Sequence, residues 1–131
     1  MSDHQKLLAQ QMSEAEVQRN TIDMARTLGW QCAHFRPGMT SRLRRNKDGA
    51  LVPVWVTPVQ GDGKGFPDLI AVRARRGLAI EFKREGQNAT PEQNEWLIAF
   101  HWAGFESYTW RPSDWLNGTI EEALGNGQST R

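Results

Sequence analysis

The chain has little of what several common protein classes require. Its one cysteine, Cys32, excludes an internal disulfide framework. Its three histidines, at 4, 34 and 101, are too scattered for a zinc-finger ligand pattern. No apolar run approaches the length of a membrane span, and the amino terminus, Met-Ser-Asp-His-Gln-Lys, lacks the apolar core of a signal peptide. The glycines at 61, 63 and 65 are followed by neither a Lys-Ser/Thr pair nor a helix start, which argues against a phosphate-binding loop of the nucleotide-hydrolase kind. There is no internal repeat. What is left is a soluble, cytoplasmic chain of 131 residues, the size of one domain, with a polar, Gln-rich extension over 1–12 that reads as a frayed helix, a core over about 13–124 and a flexible tail over 125–131. Cys32, in an apolar run after Trp30, reads as a buried, inert thiol.

The formal net charge of +1 conceals an asymmetry. From Arg36 to Arg84 there are eleven Lys and Arg against four acids, so the middle carries +7 and the flanks −6. A basic middle suits a polyanion, because neutralising phosphates drives most non-specific nucleic-acid affinity. The alternative is a solvated charged surface.

Within that middle, residues 65–83 form two apolar-rich runs that meet at a basic turn. Asp68 opens the first run, and Glu81 and Lys83 lie two apart near the end of the second, on one face of a strand with Phe82 on the other. A turn centred on Arg75 and Arg76 predicts Asp68 opposite Lys83 and Ile70 opposite Glu81, with the three polar groups on one face. Two carboxylates and an ammonium beside a sheet interior need solvent or a cation. A hard divalent ion, Mg²⁺ or Mn²⁺, suits two carboxylate oxygens with positions left for water and phosphate. The plainer alternative is a wet polar edge. Gly63, Gly65 and Pro67 ahead of Asp68 describe a loop that delivers an acid to a strand start.

The flanking segments add candidates. A helix is predicted from Ser13, with a Ser13–Glu16 capping pattern, to about Leu28 before Gly29. Its apolar stripe is Val17, Thr21, Met24, Ala25 and Leu28, and Glu14 falls in the middle of that stripe while Glu16 lies opposite. A first-turn acid is also stabilised by the helix dipole, so Glu14 has two readings. Residues 30–36 read as a strand with Cys32, His34 and Arg36 on one face. Residues 37–48 read as a loop whose Arg42, Arg44, Arg45 and Lys47 suit phosphate contacts, and 51–59, with Pro53 and Pro58, as an edge segment. Lys64 reads as a phosphate contact or a turn lysine. Thr90, Pro91 and Gln93 predict a capped helix start, giving Gln93 a structural role of its own. Trp96, Leu97, Phe100 and Ala103 make the expected buried stripe of that helix, and Trp96, Trp102, Trp110 and Trp115 read as core. A strand over 105–110 and a short helix from Ser113 close the chain. The element order predicts an α/β domain with a central mixed β-sheet flanked by α-helices.

Glu14, Gly-Phe-Pro-Asp68, Glu81-Phe-Lys83, Pro-Glu-Gln93, His-Phe-Arg-Pro and Trp-Arg-Pro-Ser-Asp-Trp together resemble the VRR-NUC (virus-type replication-repair nuclease) branch of the PD-(D/E)xK superfamily, over Ser13 to Trp115. The resemblance implies a restriction-endonuclease-like core and a Mg²⁺- or Mn²⁺-dependent endodeoxyribonuclease without a small-molecule cofactor. It implies metal binding by Asp68, Glu81 and the Phe82 backbone carbonyl. An acid on the first helix, for which Glu14 is a better match than Glu16, would hold a second ion or a water. Lys83 would activate the attacking water, and Gln93 would position Lys83 or that water. His34 and Arg36 would face substrate. It further implies branched DNA, such as a Holliday junction in replication, recombination or repair, and a homodimer. A restriction-type or nicking nuclease and a non-cleaving DNA-binding module are the alternatives.

Overall fold

The computed structural model describes residues 1–35, 38–56 and 61–126; of residues 38–42, 55 and 56 the backbone alone is described. The elements run in the order α1 (Asp3–Gln11), α2 (Glu14–Thr27), β1 (Gln31–His34), β2 (Gly38–Arg45), β3 (Leu51–Val56), β4 (Leu69–Arg73), β5 (Arg76–Phe82), α3 (Pro91–Trp102), β6 (Glu106–Trp110), α4 (Pro112–Leu116) and α5 (Thr119–Gly125). Four strands form a mixed sheet in the order β1-β4-β5-β6, with β5–β6 parallel and the other pairs antiparallel. The predicted α/β architecture is thus the observed one. No helix among the described residues is long and apolar enough to cross a membrane.

Strand alternation separates the two faces of this sheet. On one, Leu69, Ala71, Leu78, Ile80, Phe82 and Trp110 pack with Val17, Ile22, Ala25 and Trp30 and with Ile120 and Leu124 of α5. The other face carries α3. Phe66 there sits edge-on to Phe35, Trp96 and Phe100, with centroids 5.3, 4.9 and 5.8 Å away, so the loop before β4 is held by aromatic contacts. Gly65 in that loop has φ +82°, and a Cβ on it would lie 2.6 Å from the Glu92 carbonyl carbon. No other residue fits there: the loop backbone lies against the first turn of α3.

The expected helical extension is present and capped rather than frayed: residues 3–11 are a helix, with Ser2 and Gln5 forming a complete capping box. Other expectations change. The α2 stripe is Val17, Gln18, Thr21, Ile22 and Ala25, rotated slightly from the predicted one. Residues 38–45 are not a loop but strand β2, which pairs with β3 in a two-stranded antiparallel sheet of its own, and of the expected loop only 46–48 belong to the turn between them. Residues 125 and 126 end α5 and cap it, while the rest of the expected tail, 127–131, lies outside the described residues, as do 57–59 of the expected edge segment. Trp102 is 81% exposed rather than core, and Ala103 is exposed too; Trp110 is buried, and Trp96 and Trp115 are half-buried. The α3 stripe therefore narrows to Leu97, flanked by Trp96 and Phe100.

Candidate active site

The β4–β5 turn falls at Ala74 and Arg75, because Arg73 pairs with Arg76. Ala74 takes φ +53°, a left-handed conformation that the sequence does not advertise with glycine or asparagine. The register is therefore two residues from the predicted one. Leu69 faces Ile80, and one step further along Asp68 comes opposite Glu81 rather than Lys83. A shift of two preserves the face, so Asp68, Glu81 and Lys83 still project to the α3 side.

Asp68 is fixed by its backbone and its side chain together. Its carbonyl accepts from Phe35 N–H at 3.0 Å, and its Oδ2 accepts from Phe82 N–H at 2.8 Å. Glu81 lies on β5, between two neighbouring strands, and is only 3% exposed. Its Oε2 accepts from Gln93 Nε2 at 2.6 Å, whereas its Oε1 is buried and, as a carboxylate oxygen, accepts from no donor among the described residues. Gln93 also serves as the helix cap: Thr90 N–H donates to Gln93 Oε1 at 2.8 Å, and Gln93 N–H donates to Thr90 Oγ1 at 3.2 Å. The amide oxygen being held by the cap, its nitrogen is the end that faces Glu81. The two readings of Gln93 are therefore both present in one side chain, and its contact is with Glu81 rather than Lys83.

Burial, and then the charge of Asp68 beside it, pushes the Glu81 carboxyl up to about 8 from 4.5. Burial likewise raises Asp68, offset by the Phe82 N–H and, when Glu81 is protonated, by the proton Glu81 shares with it. The Lys83 ammonium pulls both down, as a cation facing the pair must. Glu14, exposed at the first turn of α2, adds its charge to Asp68, and Glu16 is not among the groups acting on either carboxyl. The acid that reaches the pair from α2 is thus Glu14, but it stands at the mouth and not inside. Below it Gln18 is buried, with its Nε2 unpartnered; its placement one turn after Glu14 was the available signal.

The remaining predicted residues are more dispersed. His34 is exposed at the end of β1, where it pairs with Leu69, next to Asp68. Arg44, Arg45 and Lys47 are exposed on the β2–β3 hairpin. Arg36 and the Arg42 side chain lie outside the described residues. Lys64 is exposed at a shallow cleft of about 470 Å³, with Asp62, Glu92, Glu95 and Trp96, an acidic setting that disfavours phosphate. Cys32 is half-buried, and burial raises its thiol pKa.

An acid pair on the α3 side of a mixed sheet, with a lysine two residues past one acid and a glutamine from the facing helix, describes a nuclease-type site. The VRR-NUC domain family model matches residues 10–112 of this chain. The chain belongs to the VRR-NUC domain family, and it is a nuclease domain for which DNA is the implied substrate. No curated protein and no solved structure matches it.

Proposed function

We propose that this chain is a Mg²⁺- or Mn²⁺-dependent endonuclease that hydrolyses DNA phosphodiesters, with a preference for branched DNA and action as a homodimer. The observation that carries the metal dependence is the buried Glu81 Oε1, unpartnered beside Asp68. A buried carboxylate pair with one nearby ammonium lacks counter-charge. Among the described residues no group of three His, Cys, Asp or Glu converges, so the side-chain donors here are the two carboxylates of Asp68 and Glu81. That set fits a small hard ion that keeps water and phosphate in its remaining positions.

Asp68, Glu81 and the Phe82 carbonyl would hold the ion, with Glu14 reaching a second ion or a water. When bound, it supplies Lewis acidity toward phosphate and the attacking water. The rest is the work of the chain. Phe82 N–H and Gln93 Nε2 fix the two carboxylates in place before substrate arrives. Lys83 offers its ammonium to the charge that develops on phosphate and orients the attacking water.

Cleavage of Holliday-junction, flap and linear DNA with Mg²⁺ and with EDTA tests this reading. Wild-type protein should cut only with metal and cut branched DNA fastest, and Asp68→Ala and Lys83→Ala should be inactive. Variants that cut as well as wild type would defeat the site assignment. Equal rates on all substrates would indicate a restriction-type or nicking enzyme, and salt-dependent binding without any cleavage a binding module.

A further inference from the structure

The β2–β3 hairpin is built to hold its shape. At its tip Asn46 Oδ1 accepts from the N–H groups of Asp48 and Ala50 at 2.9 and 3.0 Å, and Asn46 N–H donates to the Ala50 carbonyl at 3.0 Å. Gly49 takes the φ of +81° that the turn needs, and Arg45 Nη1 donates to its carbonyl at 2.8 Å. The ribbon shares no ladder with the four-stranded sheet. Its first residue, Gly38, follows Phe35 by three positions in the chain, and Phe35 N–H is bonded to the Asp68 carbonyl, which keeps the start of the ribbon within a short span of the acid pair.

Its surface is unusual for an ornamental loop. Leu43 and Leu51 are 57% and 56% exposed, on the face that also carries Arg45 and Pro53, while Arg44 and Val52 occupy the other. Arg44 and Lys47 form no ion pair among the described residues, and Asp48 is the one acid between Leu43 and Val54. Exposed leucines among unneutralised cations fit a surface that is anionic at its walls and partly apolar at its floor. A duplex groove has that character. A two-stranded ribbon, with strands about 4.8 Å apart plus side chains, enters a major groove about 12 Å wide but not a minor groove about 6 Å wide.

We propose that the β2–β3 ribbon is an arm that lies in the major groove of the DNA next to the cleaved bond. Leu43 and Leu51 face the thymine methyls of the floor with Arg45 on the same face, while Arg44 from the other face and Lys47 from the tip reach out to the phosphate walls. The inference rests on DNA being the substrate, and its test is a binding measurement that requires no cleavage. Asp68→Ala protein, in EDTA, is titrated onto a duplex at several salt concentrations, alone and combined with Arg44→Ala/Lys47→Ala or Leu43→Ser/Leu51→Ser. The log–log salt slope should fall by about 0.9 for each phosphate that the variant no longer neutralises. Protection of guanine N7 from dimethyl sulfate should disappear in the leucine variant, and distamycin, a minor-groove ligand, should not displace the protein. Because all four side chains are exposed, melting temperatures should match the parent and so exclude misfolding. An unchanged slope, retained N7 protection, or displacement by distamycin would overturn the arm. If wild type fails to cut while binding still depends on the arm, the nuclease reading fails alone; if it cuts and the slope is unmoved, the arm fails alone.

Discussion

Gln93 Nε2 donates to Glu81 Oε2 at 2.6 Å while the oxygen of the same amide accepts from Thr90 N–H. A helix cap and a site carboxylate are thereby oriented by a single side chain, so the first turn of α3 cannot fray without releasing Glu81. Gln93→Glu separates the two functions: a glutamate keeps the capping acceptor but sets a third carboxylate against the pair. This variant should melt near the wild-type temperature with metal and cut far more slowly. Gln93→Ala should lose activity together with about 1 kcal/mol of stability. Thermal melts beside single-turnover cleavage distinguish the two outcomes.

The raised pKa of Glu81 gives the metal-free protein a pH dependence of definite sign. Its carboxyl sits at about 8 folded, against 4.5 ordinarily, so the folded state binds the extra proton between those values. Stability from this group is fully present below about 4.5 and is lost as pH rises through about 8. In EDTA, the melting temperature should fall from pH 5 to pH 8.5. Glu81→Gln should flatten that fall, and added Mg²⁺ should reverse it at the alkaline end. An equally steep fall in the glutamine variant would assign the effect to other groups.

Lys83→Met removes the cation that draws both carboxyls down. The pair should then hold its proton to higher pH, so metal affinity measured by calorimetry at pH 7 should weaken as well as cleavage. Lys83→Arg, which keeps the charge, should restore affinity more than rate, because the flat guanidinium is a poorer fit to a site shaped for an ammonium.

Gly65→Ala tests the packing of the loop on α3. A Cβ 2.6 Å from the Glu92 carbonyl carbon, on a backbone at φ +82°, must displace either the loop or the helix start. The cost should be about 2 kcal/mol or more from left-handed strain and overlap together. Activity should drop with stability, because the same displacement moves Gln93.

Trp102, 81% exposed, should tolerate change to glutamine within about 0.5 kcal/mol when the protein is dilute and monomeric. If sedimentation shows a dimer that this substitution weakens, the outer face of α3, with Ile98 one turn earlier and 57% exposed, is part of its interface.

The acid pair and its lysine were legible because strand periodicity fixes the face of a side chain whatever the register. The register itself was not legible, since Ala74 supplies the positive φ with a side chain that normally avoids it. The β2–β3 hairpin did carry a signal: Asp48-Gly49 between two runs that can extend is a hairpin turn, obscured by the charge of Arg44, Arg45 and Lys47 and by Pro53. Helix α1 was announced by Ser2 and Gln5, spaced as a capping box. The exposure of Trp102 did carry a signal: helical periodicity places it, with Ile98, on the side away from Trp96, Leu97 and Phe100. Glu14 could be placed on the correct side of α2, but its standing at the mouth depends on where the helix begins relative to the sheet.

Far from the acid pair, the turn end of the β4–β5 hairpin is clasped. Arg73 and Arg76 lie over the Trp30 ring with their guanidinium carbons 4.5 and 5.0 Å from its centroid, and both donate to the Asn126 carbonyl. Trp30 Nε1 and Arg73 also reach the Leu124 carbonyl. The hairpin is thus a beam anchored at both ends, by Phe82 N–H on Asp68 at one and by the last turn of α5 at the other. Any shift of the acids along the hairpin therefore works against contacts made a strand length away, at the end of α5.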